Sequence, residues 1–185
     1  RALGLDYVLG SVHFLGRFQD GVYWTVDGDR QEFERGLAEC FGGNVRVLVE
    51  EFYRRTAEMA LNFTPEIVAH IDLVKKNNRD RSFFTETEPW YRDAVRGALG
   101  AVKRSGAVLE VNTGGLARNT SAALYPSEWI LAEVLKLGIP VVINSDAHAP
   151  QGIDALLDET AVLLREIGFR EARLLSLSGW RPWPL

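Results

Sequence analysis

One stretch of the sequence restricts the possible fold more than any other, because an apolar run ends abruptly in polar residues. It reads Val-Val-Ile-Asn-Ser-Asp-Ala-His over residues 141–148. Three successive branched aliphatic residues predict a strand buried on both faces, as in a parallel sheet covered by helices. If the strand stays extended through Ser145, the side chains of Asp146 and His148 project to the same side. A carboxylate and an imidazole at a strand end suit a divalent cation, although these residues would also serve as a polar turn before a helix.

The three histidines of the chain each fall at the end of a predicted strand, at His13, His70 and His148. The carboxyl ends of parallel strands meet at one rim, so the three imidazoles and Asp146 are expected to surround one site. Such ligands lower the pKa of bound water and make hydroxide available at neutral pH. The sequence therefore predicts a catalytic metal site. Asp72, two residues after His70, is either a partner that orients the imidazole or an exposed loop carboxylate.

Composition limits the class of protein and its partners. At 185 residues, of which 46% are hydrophobic, the chain is predicted to form a single domain over residues 1–185 with one sizeable core. A net charge of −4 with scattered basic residues disfavours nucleic acid and membranes as partners, and favours a small-molecule substrate. The single Cys40 excludes an internal disulfide, and no apolar run approaches the roughly 20 residues of a membrane span. We therefore expect a cytoplasmic protein.

Strands and helices are predicted to alternate along the chain. The predicted strands are residues 6–14, 65–72, 107–112, 140–145 and 172–177. The helical patterns cover residues 31–63, with a break at Gly42 and Gly43, then 90–105, 126–137 and 153–167. Residues 15–29 and the hydrophilic stretch after Asn78, to about Glu86, are predicted as loops, and residues 180–184 as a cap over an apolar surface. This order implies an α/β fold with a parallel sheet and right-handed crossovers, either doubly wound or a barrel.

Five motifs resemble, in order, those of a known family. They are Gly-Ser-Val-His-Phe at 10–14, Ala-His-Ile-Asp-Leu at 69–73 with two lysines at 75–76, Glu-Val-Asn-Thr-Gly-Gly-Leu at 110–116, Tyr-Pro at 125–126 and Asn-Ser-Asp-Ala-His at 144–148. They look like successive motifs of the histidinol-phosphate phosphatases of the polymerase-and-histidinol-phosphatase (PHP) superfamily. The set covers most of the chain, and its first and last members are the most specific.

The resemblance implies a fold, an activity and a cofactor. The fold would be the C-terminal portion of a distorted (β/α)7 barrel, with parallel strands and flanking helices. The activity would be hydrolysis of L-histidinol phosphate to L-histidinol and phosphate in histidine biosynthesis. The cofactor would be a multinuclear cluster of divalent metal ions, Mn, Fe or Zn.

The resemblance also implies a role for individual residues. The metal ligands carried over by motif are His13, His70, Asp146 and His148. The residues expected to act in catalysis are Asp146, His148 and His13. The residues expected to bind the substrate are Arg118, Lys75 and Asn112. For Lys75 and its neighbour Lys76, a solvated loop position is the alternative.

The sequence departs from the family pattern mainly on its N-terminal side. The family begins with a His-x-His strand and supplies a further His and a Glu before the Gly-Ser-Val-His strand, and this sequence contains none of them. We therefore expect the N-terminal strands and part of the ligand set to be missing, and the apparent helix end at residues 2–4 fits a piece of a longer protein. The family's arginine would fall at Ala117, so Arg118 stands in for it. An unpaired edge on strand 6–14 would favour a homodimer.

Three other interpretations remain open at this stage. The protein could be another phosphoesterase of the same superfamily, with the same site and a different pocket. It could be a catalytically inactive, metal-poor remnant that acts as a binding module. It could also be an ordinary metal-free α/β domain.

Overall fold

A parallel four-stranded sheet with flanking helices lies at the centre of the fold in the computed structural model, which describes residues 4–185. The strands are β1 (Leu9–Gly10), β2 (Phe14–Arg17), β3 (Tyr23–Thr25), β4 (Ile67–Val68), β5 (Val108–Asn112), β6 (Val141–Asn144), β7 (Glu171–Ser176) and β8 (Gly179–Pro184). The α-helices are α1 (Arg30–Phe41), α2 (Val45–Asn62), α3 (Pro89–Ser105), α4 (Gly114–Ala117), α5 (Glu128–Leu137) and α6 (Leu157–Ile167). Two short 3₁₀ helices cover Leu73–Asn78 and Pro150–Gly152.

The strand order in the parallel sheet is β1-β4-β5-β6, which is also their order along the chain. The register aligns Leu109 with Val141 and Asn112 with Asn144, so β5 and β6 end at the same level. Apolar residues of these strands, including the fully buried Leu109, pack against the helices that connect them. Residues that follow the strands therefore meet at one rim of the sheet.

The sequence signals for helix ends are confirmed by the caps. Gly42 ends α1, Gly106 ends α3 and Gly138 ends α5, each in the left-handed conformation that favours glycine. The N-caps Asp29 and Asn44 accept hydrogen bonds from backbone N–H groups in the first turns of α1 and α2. No helix within residues 4–185 is long and apolar enough to cross a membrane.

The prediction of a loop over residues 15–29 is wrong, because this stretch contains most of the antiparallel hairpin β2–β3. The hairpin is held by Trp24, which is fully buried and packs edge-on against Phe33 of α1. Its strands are too short for a clear alternating pattern. The strand predicted over residues 6–14 shrinks to β1, because the chain turns into this hairpin at Phe14.

The C-terminal strand also differs from its prediction. Strand β7 pairs antiparallel with β8 in a separate two-stranded sheet, and does not extend the parallel one. The Trp-Arg-Pro-Trp-Pro tail, predicted as a cap, forms most of β8. Its two prolines lie at the edge of a two-stranded sheet, where a missing N–H group is tolerated. The helix end predicted at residues 2–4 begins outside the described residues.

Candidate active site

Glu110 of β5 joins three neighbouring strand ends at the rim of the sheet. Its side chain is buried, and one carboxylate oxygen accepts the backbone N–H of His70 at 2.9 Å and the side-chain amide of Asn112 at 3.1 Å. The other oxygen accepts the side-chain amide of Asn144 at 2.9 Å. A buried carboxylate with three donors is a rigid anchor. The sequence placed Glu110 in a motif without a role, and its role is to hold the rim together.

Asn112, predicted to bind the substrate, is buried beside Glu110. Its side-chain oxygen accepts the backbone N–H of Gly114 at 2.9 Å, while its amide donates to Glu110. Both ends of the side chain are therefore engaged within the protein. The substrate contact proposed for Asn112 stays a prediction.

His13 and His70 come together at the rim as expected from the sequence. His13 lies just before β2 and His70 two residues after β4, and their ring centroids are 5.1 Å apart in an edge-to-face arrangement. The backbone of His70 has a φ of 27°, a left-handed conformation that is strained for a residue other than glycine. Strained residues of this kind cluster at functional sites. Burial lowers the pKa of the His70 imidazole.

Asp27 is a rim residue that sequence reasoning missed. One of its carboxylate oxygens lies 3.1 Å from Nδ1 of His13. This hydrogen bond raises the pKa of His13, against the opposing effect of burial, and the pKa of Asp27 is lowered by His13 although burial acts the other way. Asp27 follows β3 in a stretch predicted as a loop, and only its position after an aromatic run offered a signal.

Asp146 reaches the rim in a different way from the one predicted. Strand β6 ends at Asn144, and Asp146 has a φ of 49°, so the alternation of an extended strand does not continue to His148. The carboxylate of Asp146 accepts a hydrogen bond from Nη2 of Arg118 at 3.0 Å, and Nη1 of Arg118 donates to its backbone oxygen at 2.5 Å. Its negative charge acts on both rim imidazoles, His13 and His70. Arg118 therefore lies beside the predicted ligands.

His148 is exposed and turns back toward the chain before it. Its Nδ1 lies 2.8 Å from the backbone oxygen of Asp146. A carbonyl oxygen only accepts, so Nδ1 carries a proton, and in the neutral ring Nε2 then keeps its lone pair. His148 thus offers the same free nitrogen as a metal-binding histidine.

Gly114 allows the turn after β5 to approach the end of β6 closely. A Cβ atom there would lie 2.5 Å from the backbone oxygen of Ser145 and 2.7 Å from Nη1 of Arg118. We expect Gly114→Ala to destabilise the protein by about 1–3 kcal/mol, since the backbone oxygen cannot move aside as a flexible side chain would. Gly97 in α3 is the matched control, because a Cβ there meets nothing within 4 Å.

Urea unfolding of both variants tests this close approach. Gly97→Ala is expected to raise stability by up to about 1 kcal/mol, because alanine favours a helix and glycine does not. Equal effects of the two substitutions would show that the rim does not need the glycine.

The 3₁₀ helix Leu73–Asn78 is a partly buried junction, and Lys75 within it is not in the solvated position that was the alternative for this residue. Four successive polar residues hold different parts of the chain: Lys75 contacts Leu124 and Ser127, Lys76 the backbone oxygen of Asp27, Asn77 the backbone oxygen of Gly28, and Asn78 the backbone of Phe83 and Phe84. The helix starts directly behind His70 and Asp72. It therefore ties the surrounding loops to the rim.

Lys75 and Asp72 form an ion pair in the interior. Nζ of Lys75 lies 2.6 Å from Oδ2 of Asp72, 2.8 Å from the backbone oxygen of Leu124 and 2.5 Å from Oγ of Ser127. These three acceptors use all three donors of the ammonium group. Burial raises the pKa of Asp72, and the charge of Lys75 acts against this effect. The substrate contact predicted for Lys75 stays a prediction, but its donors are engaged in the protein.

The side chains at the rim offer the types of donor atom that bind a divalent cation. His13 and His148 each commit Nδ1 to an oxygen acceptor and leave Nε2 free, which is the usual arrangement of metal-binding histidines. Asp146 adds a carboxylate beside them. Within residues 4–185, however, no three His, Cys, Asp or Glu side chains are grouped closely enough to hold a metal ion. These donor atoms are of the kinds that bind a divalent metal ion. Their spacing within residues 4–185 does not enclose one.

The fold and the rim define an α/β protein with histidines and carboxylates at the carboxyl end of a parallel sheet. The chain is 31% identical over 154 residues to the histidinol-phosphatase of Bacillus subtilis, covering 78% of this chain and 53% of that protein. It is 30% identical over 165 residues to a Deinococcus radiodurans protein assigned the same name, covering 89% and 56%. The crystal structure of hisK from Listeria monocytogenes, assigned as a histidinol phosphatase, superimposes with a TM-score of 0.67 at 25% identity, covering 82% of this chain and 56% of that one.

These similarities confirm the resemblance seen in the motifs. No family model matches the sequence. The chain is similar in sequence and in fold to proteins named histidinol-phosphatase. It spans about half the length of the curated relatives it matches.

Proposed function

We propose that this protein is a metal-dependent phosphomonoester hydrolase that converts L-histidinol phosphate and water to L-histidinol and phosphate. The observation that carries the proposal is the meeting of His13, His70 and Asp146 at one rim, beside the guanidinium of Arg118. The names of its relatives supply the substrate. A small phosphorylated substrate also agrees with the net charge of −4 and the scattered basic residues.

The residues of the rim have separate parts in this proposal. His13, His70, Asp146 and His148 would hold Mn, Fe or Zn. A divalent cation, when bound, polarises a phosphoryl oxygen and lowers the pKa of water. Arg118 offers a planar fork of N–H donors to the equatorial oxygens of the phosphoryl group. Positioning and charge neutralisation of this kind provide most of the acceleration in phosphoryl transfer.

We also propose that the parallel sheet is part of a distorted (β/α)7 barrel. The strands follow one another in the sheet in chain order, without the reversal that marks a doubly wound fold.

Phosphate release from L-histidinol phosphate tests the function. We expect the protein, stripped with a chelator and then supplied with Mn, Fe or Zn, to release phosphate only after the metal is restored. An unchanged rate after chelation would contradict metal dependence. Serine phosphate and a nucleoside monophosphate serve as comparison substrates, and a higher kcat/KM for either would point to another phosphoesterase of the superfamily.

A second candidate is an inactive member that binds without catalysis. The observation that favours it is the absence of a grouped metal site among the described residues. Metal analysis of the purified protein separates the two. Tightly bound metal at or above one ion per chain would contradict the inactive candidate.

A further inference from the structure

Asp27 and His13 lie at the base of the β2–β3 hairpin, on its two sides. The backbone N–H of Val26 donates to the backbone oxygen of His13 at 2.8 Å and closes the base. Directly beyond it, Oδ1 of Asp27 lies 3.1 Å from Nδ1 of His13. Both side chains are partly buried, with 25% of Asp27 and 35% of His13 exposed. The hairpin thus presents a carboxylate to the imidazole at a fixed place.

The position of Asp27 is itself held by the 3₁₀ helix Leu73–Asn78. The ammonium of Lys76 donates to the backbone oxygen of Asp27, and the amide of Asn77 donates to the backbone oxygen of Gly28 at 3.1 Å. Lys76 and Asn77 belong to the 3₁₀ helix that begins just after His70. The segment that carries Asp27 is therefore bound to the same helix that follows the other rim imidazole.

The contact determines which nitrogen of His13 carries the proton. An ionised carboxylate only accepts hydrogen bonds, so Nδ1 must donate, and in the neutral ring Nε2 then keeps its lone pair. Nε2 of His13 makes no hydrogen bond to any residue of the described range 4–185. We propose that Asp27 is a positioning residue that fixes His13 in the Nδ1–H tautomer and leaves Nε2 free for the rim site. Its effect on catalysis rests on the proposed function, whereas the tautomer does not.

The tautomer is measurable without a substrate or a metal. The chain has three histidines, so ¹⁵N spectra of the metal-free protein resolve each imidazole, and His13→Gln identifies the signals of His13. At a pH where the ring is neutral, we expect Nδ1 of His13 to be protonated and Nε2 not. Asp27→Ala should shift His13 toward the other tautomer and leave the signals of His148 in place. Protonation of Nε2 in the unaltered protein, or no change in Asp27→Ala, would overturn the proposal.

Kinetics then distinguish positioning from a general structural effect. Loss of such a partner typically costs about 10- to 100-fold in metal affinity or activity, so we expect kcat of Asp27→Ala to fall in that range with little change in KM. Asp20→Ala is the control, because Asp20 lies at the exposed tip of the same hairpin and pairs with Arg35. Equal loss in both variants would contradict a specific role for Asp27. A tautomer shift in a protein that releases no phosphate would support the positioning role and overturn the proposed function.

Discussion

The His70→Asn variant is expected to lose about 10³-fold in kcat/KM for L-histidinol phosphate, because the imidazole is a metal ligand in the proposed function and several kcal/mol of stabilisation would be lost with it. His70 is mostly buried, its ring faces that of His13, and its backbone N–H is held by Glu110. Asparagine is the chosen replacement because it tolerates the left-handed backbone that His70 adopts at a φ of 27°. The substitution therefore removes the ring and keeps the turn.

Arg81→Asn is the matched control for this experiment. Arg81 also has a left-handed backbone, with a φ of 58°, and it lies in an exposed stretch after the 3₁₀ helix Leu73–Asn78. We expect Arg81→Asn to keep full activity, and both variants to unfold at nearly the same urea concentration as the unaltered protein. A His70→Asn enzyme with full kcat/KM would remove His70 from the proposed ligand set.

The rim could be predicted from the sequence because its residues follow strands that have strong local signals. The apolar run before Asp146 and the β-branched residues before His70 each identify a strand, and parallel strands necessarily bring their ends together. The helix ends were predictable for a similar reason, since a glycine such as Gly106 acts locally. Tertiary context was not needed for either inference.

The remaining features depend on contacts between distant parts of the chain. Asp27 reaches His13 only because a short hairpin, held by the burial of Trp24, folds back at its base. Asp146 turns into the left-handed region, where it pairs with Arg118, although the sequence pattern suggested an extended strand. Neither arrangement has a periodic sequence signal, so pattern reasoning alone does not reveal it.

The surroundings of the polar residues after His70 could not be predicted from the sequence. A run of two lysines and two asparagines is typical of a solvated loop, yet Lys75 is almost fully buried. It is accommodated because Asp72 and two further oxygen atoms surround its ammonium group. Burial of a charge is tolerated when it is paired and hydrogen-bonded, and two of the three partners here, Leu124 and Ser127, lie about fifty positions later in the chain.

Because Lys75 is buried, its replacement is expected to have a large effect on the free energy of unfolding. Lys75→Met is expected to lower the free energy of unfolding by about 3–5 kcal/mol, because it leaves the carboxylate of Asp72 in the interior without its counter-charge. One oxygen of Asp72 would retain the backbone N–H of Ser127, and its other oxygen already has no hydrogen-bond partner within residues 4–185. Urea unfolding at neutral pH measures the loss directly. We expect Lys75→Met to lower the free energy of unfolding and to change KM little, since the ammonium group contacts the protein interior.

Two further variants show whether the loss comes from the unpaired charge. Lys103→Met removes an exposed lysine that donates to the backbone oxygen of Gly138, and should cost about 1 kcal/mol or less. The double variant Asp72→Asn with Lys75→Met removes both charges, and we expect it to be more stable than Lys75→Met alone, because no unpaired carboxylate remains. If Lys75→Met costs no more than Lys103→Met, the pair does not stabilise the interior. In that case Lys75 would be free to act on the substrate, as its place in the sequence motif first suggested.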